Sequence, residues 1–172
     1  MALVLLAGVI AAAVAPLFAG DDAGDRQPRR IHQTSNQSLP DVTLSDVNGQ
    51  PVAMHSLAGS PLVLNYWYTT CPPCAQEMPA FAGVDAELGG AVRFVGINPV
   101  DGAEAAQAFA QSKGVRYEQL LDHTGRSVDD LGLTKFPSTV FVAADGAVLE
   151  VVGHELTADE LRSRIATYFA AS

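Results

Sequence analysis

Leu62-Val63-Leu64-Asn65-Tyr66-Trp67-Tyr68-Thr69-Thr70-Cys71-Pro72-Pro73-Cys74 is the stretch on which the fold turns. Its first six residues form a nearly continuous apolar run, the pattern of a strand covered on both faces, so this strand is expected near the middle of a sheet. Two cysteines three residues apart follow, where the strand hands over to a helix expected over 71–88. Phe81, Val84 and Leu88 share one face of that helix and Pro79 is expected to kink it.

Turn signals and apolar runs alternate on both sides of this centre. Upstream, Val42-Thr43-Leu44 and Val52-Ala53-Met54 flank Asp46-Val47-Asn48-Gly49, a hairpin signal whose Asn-Gly pair accepts positive φ. Downstream, a buried strand is expected over 92–97. A helix capped by Asp101 follows to about Ser112, with Ala105, Ala106 and Phe109 facing inward and Gly114 as the stop. A strand over 117–121 and a helical turn over 128–131 precede two strands that bracket Asp145-Gly146. Thr157-Ala158-Asp159-Glu160 is a capping box for a terminal helix with Leu161, Ile165, Tyr168 and Phe169 on its buried stripe. Strands alternating with helices, then a hairpin and a helix, make an α/β domain over 39–172, a mixed sheet with helices on both faces and an added amino-terminal hairpin.

Residues 2–19 are uncharged and almost wholly apolar, at the lower limit for spanning a bilayer. Residues 1–20 are therefore expected to be a membrane anchor or signal segment, with retention favoured over cleavage, and residues 21–38 a polar, flexible linker. The reading places the domain outside the cytoplasm, at the cell membrane or, after cleavage, secreted or periplasmic. Arg26, Arg29 and Arg30 follow the span and no Lys or Arg precedes it, which is opposite to the positive-inside expectation for an exported domain.

The 172-residue chain has a formal charge of −9, and its first 38 residues are neutral, so the whole excess falls on the globular part. No basic stripe is left for a phosphate backbone, which argues against nucleic-acid binding. Two cysteines cannot supply a disulfide-rich scaffold or the four thiolates of a zinc ribbon. Any cysteine chemistry belongs to this pair.

On a helix, residues i and i+3 share a face with Cα atoms about 5–6 Å apart, inside the disulfide window. Cys71, at the helix start, meets unpaired N–H groups and the positive dipole end, which favour a thiolate. The more exposed Cys71 is expected to attack and the deeper Cys74 to resolve the mixed disulfide. Pro72 and Pro73 fit a helix opening but remove two N–H donors, so the Cys71 thiolate is expected to be less stabilised than in a motif without prolines. A structural bridge would gain little from so short a loop, and His32, His55, His123 and His154 show no zinc-ligand spacing. No metal is expected, and no cofactor beyond the redox-active Cys71–Cys74 disulfide.

This run, with Phe94-Val95-Gly96-Ile97-Asn98, Lys135-Phe136-Pro137-Ser138-Thr139 and the hairpin over 140–148, resembles the thioredoxin superfamily, most of all its membrane-tethered or secreted TlpA/ResA branch. The resemblance implies a thioredoxin-like fold and thiol–disulfide exchange with protein cysteines. It also implies that Pro137 is a cis-proline beside the active sulfur, with Phe136 and Ser138 lining the place where a partner docks. Glu77 matches an acidic residue three positions after the second cysteine. It stands either as proton acceptor for Cys74 or as an ordinary solvated helical acid. Asn65 occupies the position of a buried Asp in cytosolic thioredoxins. Thr70 and Tyr68 depart from the usual rim, and with Pro72, Pro73 and Trp67 they are expected to shape the substrate site, Trp67 from beneath as core packing.

The function expected on this basis is an extracytoplasmic oxidoreductase, a reductase in cytochrome c maturation or a related pathway, fed by a membrane electron donor. A disulfide-introducing oxidase is the near alternative. A copper chaperone using both thiolates and His123 is a second. A peroxide-reducing enzyme would need a Pro-x-x-x-Thr/Ser-x-x-Cys context, and Pro61 lies too far upstream of Cys71 to provide it.

Overall fold

The structure is a computed structural model and describes residues 37–169. The span expected over 1–20, and the linker over 21–38 apart from Gln37 and Ser38, lie outside the described residues. Among the described residues no helix is long and apolar enough to cross a membrane. Ser38 already bridges Ala147, and the Val148 amide donates to the Gln37 carbonyl, so sheet contacts begin one or two residues before the expected boundary.

The elements run β1 (Thr43–Asp46), β2 (Pro51–Ala53), a 3₁₀ turn (Met54–Leu57), β3 (Leu62–Tyr66), α1 (Pro72–Leu88), β4 (Arg93–Asn98), α2 (Ala103–Ser112), β5 (Glu118–Leu121), α3 (Arg126–Asp130), β6 (Ser138–Val142), β7 (Val148–Val152) and α4 (Ala158–Phe169). They form one mixed sheet in the order β2-β1-β5-β4-β3-β6-β7. β3 lies in its interior, parallel to β4 and antiparallel to β6, and all five of its residues are buried. That is the outcome its unbroken apolar run requires.

Alternation along β3 divides the core. Val63 and Trp67 join Met78, Phe81 and Val84 of α1, Ala106 and Ala110 of α2, and Leu161 and Ile165 of α4. Leu62, Leu64 and Tyr66 join Met54 and Leu57 of the 3₁₀ turn together with Leu131 and Leu133 after α3. One face thus carries three helices and the other a thinner cover.

The first hairpin turns where Gly49 has φ 80°, and the Asp46 carboxylate accepts from the Asn48 and Gln50 amides. α1 runs unbroken through Pro79, which is exposed, and ends at Gly89 in the left-handed region. The capping box closes as expected: the Thr157 hydroxyl accepts from the Glu160 amide, and the Glu160 carboxylate accepts from the Thr157 amide and hydroxyl.

Two expectations for α2 are corrected. Gly102, not Asp101, occupies the capping position, because the Asp101 carboxylate is already engaged by Thr69 and Asn98. With the helix starting at Ala103, the inward stripe is Ala106, Ala110 and the half-buried Phe109, and Ala105 is exposed.

Gly96 has a packing reason. A Cβ there would collide with the Gln119 side chain, whose Oε1 accepts from the Trp67 indole N–H at 3.1 Å. Its absence lets Gln119 lie across the sheet and hold Trp67.

Candidate active site

β3 and β4 are parallel neighbours, so the loops leaving their carboxyl ends emerge side by side. One loop leads through Tyr68, Thr69 and Thr70 to Cys71, the N-cap of α1; the other leads through Pro99 and Val100 to Asp101. The strand-to-helix transition at Cys71 follows from the Pro72-Pro73 pair at the first two helical positions, where a fixed φ suits a helix and no amide needs a partner.

Cys71 and Cys74 form a disulfide with Cα atoms 5.3 Å apart, within the separation expected from helical spacing. The Cys74 amide, the first main-chain donor after the two prolines, donates to Cys71 Sγ at 3.3 Å. It is the one hydrogen bond that reaches this sulfur among the described contacts. The expected contrast in exposure is small, since Cys71 is 2% exposed and Cys74 fully buried. Both cysteines belong to the core cluster, with Tyr68 and Phe136 packed against it, and these two rings meet edge to face at 5.4 Å. Cys71 is thus part of the core and less open than its position at a helix start suggested.

The other expected residues sort by burial. Thr70 and Pro72 are exposed and Pro73 and Phe136 half-buried, which leaves them at the surface around the disulfide. The Phe136–Pro137 bond is cis. Pro137 itself is buried. Ser138 does not line the rim: its side chain is buried and donates to the Lys135 carbonyl at 2.6 Å, closing the loop on itself. Trp67 is likewise wholly buried, stacked on Phe109 with ring centroids 5.6 Å apart, so it supports the site from below.

Glu77 decides the choice left open by the sequence. It is only 3% exposed, which excludes the solvated reading. Its Oε1 accepts from Asn65 Nδ2 at 2.7 Å and its Oε2 from the Leu156 amide at 3.0 Å. Burial pushes its pKa up to about 7, aided by the charge of Glu155 and opposed by the two donated hydrogen bonds. A carboxyl that titrates there can take up or release a proton at neutral pH, and at i+3 it shares the Cys74 face of α1. Asn65 is fixed in turn by the Tyr117 hydroxyl, which donates to Asn65 Oδ1 at 3.4 Å. Burial, with the charges of Glu77 and Asp85, raises the Tyr117 pKa and keeps that hydroxyl protonated. Tyr117 and the Leu156 amide left no sequence signal, because their role depends on contacts 52 and 79 residues away in the chain.

Among the described residues no group of three or more His, Cys, Asp or Glu side chains is gathered as a metal site. A copper site built from both sulfurs and His123 therefore finds no support in the arrangement.

The AhpC/TSA family matches residues 35–151 of this chain. The thiol-disulfide oxidoreductase ResA of Oceanobacillus iheyensis is 30% identical over 168 residues, covering 92% of this chain and 81% of that protein. ResA of Bacillus subtilis is 29% identical over 125 residues, covering 72% and 70%. Among solved structures, MTB DsbF in mixed oxidised and reduced forms superposes with a TM-score of 0.67 at 32% identity, covering 74% of this chain and 94% of its own. A secreted Mycobacterium tuberculosis disulfide oxidoreductase homologous to E. coli DsbE gives 0.66 at 32% identity, covering 74% and 96%.

Proposed function

We propose, from the premise that the chain belongs to the AhpC/TSA family and is a thiol–disulfide oxidoreductase of the ResA and DsbE type, that it reduces protein disulfides outside the cytoplasm, in cytochrome c maturation or a related pathway. The observation behind this reading is the pairing of a sparsely hydrogen-bonded Cys71 sulfur with a buried, proton-holding Glu77. In the reductive direction the Cys71 thiolate attacks one sulfur of a partner disulfide, and the other partner sulfur leaves as a thiolate. Glu77, ionised, takes the Cys74 proton. The Cys74 thiolate then attacks Cys71 Sγ, the Cys71–Cys74 bond forms, and the second partner thiolate leaves. Two electrons pass from the pair, which holds both of the chain's cysteines, to the partner.

The direction is argued from the sulfur's surroundings. A thiolate with one main-chain donor is less stabilised than one with several, which makes the dithiol the better electron donor. Thr70, Pro72, Pro73, Tyr68 and Phe136 form the surface that a partner chain meets, with Pro137 beneath. A secreted structural neighbour and the apolar segment over 2–19 support a site outside the cytoplasm, anchored through that segment and re-reduced by a membrane electron donor.

The test uses the purified chain with a protein disulfide as substrate. Consumption of both cysteine thiols with release of two substrate thiols supports the reading. An oxidised chain that instead forms disulfides in a reduced substrate faster than the reduced chain breaks them would make it an oxidase.

A further inference from the structure

We propose that Asp101 is a positioning residue for thiol–disulfide exchange, acting through Thr69 on where the β3–α1 junction holds Cys71 and on how readily that sulfur becomes a thiolate. The geometry is a clamp between two loops. Asp101 Oδ2 accepts from the Thr69 amide and Oδ1 from the Thr69 hydroxyl, both at 2.7 Å. Asn98, itself buried, fixes the acid from the other side: its Nδ2 donates to Asp101 Oδ2 at 2.8 Å, and its Oδ1 accepts from the amides of Val100 and Asp101 at 2.9 and 2.8 Å. Every polar atom of the carboxylate is thus used, and none of these bonds serves α2, whose cap is Gly102.

The clamp matters because of what lies between its ends. Trp67 is tied to β4 through its amide and the Ile97 carbonyl, and the Cys71 amide closes a turn on the Tyr68 carbonyl. Thr69 is the middle of that short path, so pinning it fixes the approach of the chain to the attacking sulfur. Two trans peptides separate Thr69 from Cys71, so their Cα atoms lie at most about 7.6 Å apart. A carboxylate bonded to Thr69 therefore acts on Cys71 within about a Debye length, where like charge disfavours a thiolate. Burial opposes ionisation of Asp101, but the donors from Asn98 and Thr69 outweigh it and hold the carboxyl below its ordinary range. It is an anion throughout the working range of the thiols. The other charges on elements around the motif include Glu77, Asp85 and Glu87 on α1, Arg93 on β4, Glu104 on α2, Glu155 before α4, Lys135 in the loop before β6, and Lys113, which lies over the Phe109 ring. None of these is bonded to the 67–71 path in the structure, so Asp101 is the charge that reaches it directly.

Asp101→Asn, Thr69→Val and Thr69→Ser test this in the full chain. Three readouts are needed: thiolate absorbance against pH in the reduced protein, the glutathione equilibrium of the pair, and the rate of exchange with a protein disulfide. Asp101→Asn keeps the shape and removes the charge. It is expected to lower the Cys71 pKa by about half a unit, the size of the effect of a unit charge within about a Debye length in a medium between protein surface and water. The glutathione equilibrium moves about threefold toward the dithiol with it. Thr69→Val leaves the charge and the main-chain bond but deletes the hydroxyl bond. It is expected to slow exchange threefold or more above the thiolate pKa with little change in that pKa, and Thr69→Ser restores the rate. If Asp101→Asn does not fold, the Val and Ser variants decide alone. Variants less stable to urea but unchanged in pKa, equilibrium and rate would make the clamp merely structural and overturn the proposal. A wild-type chain that exchanges with no disulfide would instead defeat the oxidoreductase reading on which it rests.

Discussion

Replacing Glu77 by glutamine removes the one buried carboxyl near the disulfide while keeping its shape. The exchange of hydrogen bonds is feasible: the introduced side-chain carbonyl accepts from the Leu156 amide, and Asn65 turns its own amide so that Oδ1 accepts from the introduced NH₂ group and Nδ2 donates to the Tyr117 hydroxyl oxygen. The folded carboxyl titrates at about 7 against 4.5 for the ordinary group. Between these values the folded chain holds a proton that the unfolded chain has lost, so stability falls as pH rises from about 4.5 to 7 and stays lower above that. The difference corresponds to about 3 kcal/mol at about 1.36 kcal/mol per unit, an upper figure because relaxation around a buried charge reduces it. The neutral amide carries no such slope. Urea unfolding of the two oxidised proteins from pH 5 to pH 8.5 should therefore show the variant gaining about 1–3 kcal/mol on the wild type, a midpoint difference of roughly 1 M at ordinary urea slopes. Taking the difference between the two proteins cancels the opposite pH dependence of groups such as Asp122, whose carboxyl is held low by hydrogen bonds from Ser127 and Thr124 despite its burial. Parallel profiles would refute the reasoning, because they would mean that Glu77 is ionised in the fold like any surface acid.

Further outcomes follow from the same contacts. Glu77→Gln should slow formation of the Cys71–Cys74 bond at neutral pH by about a hundredfold, the loss expected of a general base, in a stopped-flow assay of mixed-disulfide resolution; an unchanged rate would remove Glu77 from the proton path. Cys74→Ala should trap mixed disulfides through Cys71 that mass spectrometry can identify, and Cys71→Ala should trap few; equal yields would abolish the assignment of roles. Gly96→Ala should destabilise the chain by about 1–3 kcal/mol, because the new methyl displaces Gln119 and strips the Trp67 indole of its partner; a urea midpoint within error of wild type would contradict that packing account. Thr157→Ala should cost about 1 kcal/mol through loss of the capping box; an unchanged melting curve would count against it.

The legible parts of this protein were those fixed by local pattern. The run of apolar residues over 62–67, the Asn48-Gly49 and Asp145-Gly146 turns and the Thr157–Glu160 box each specify their structure within a few residues, and each is found where expected. Asp101 shows the limit of that reasoning. An acid ahead of an apolar-periodic stretch reads as a helix cap, yet pairing of β3 with β4 brings Thr69 within 2.7 Å and redirects the carboxylate. Glu77 is singled out by the family resemblance, which leaves open whether it is buried or solvated; its partners Asn65 and the Leu156 amide are brought together only by the fold. Ser138 falls in the right neighbourhood with its side chain turned inward, since proximity in sequence to a site does not say which way a side chain points, whereas Trp67 packs in the core beneath the motif as its apolar run implies. Cys71 reads as open from its place at a helix start, yet it belongs to a core cluster against which Tyr68 and Phe136, 68 residues apart in the chain, are both packed.

The most direct test of the central claim is the midpoint potential of the Cys71–Cys74 pair, measured by equilibrating the protein in defined glutathione or dithiothreitol buffers and counting free thiols by mass after alkylation. A reversible two-electron transition near the thioredoxin value of about −270 mV is the result predicted for a reductase whose Cys71 sulfur, in the disulfide, accepts from a single main-chain donor. A value near about −120 mV, or a disulfide that no poise within reach of these buffers opens, would contradict it.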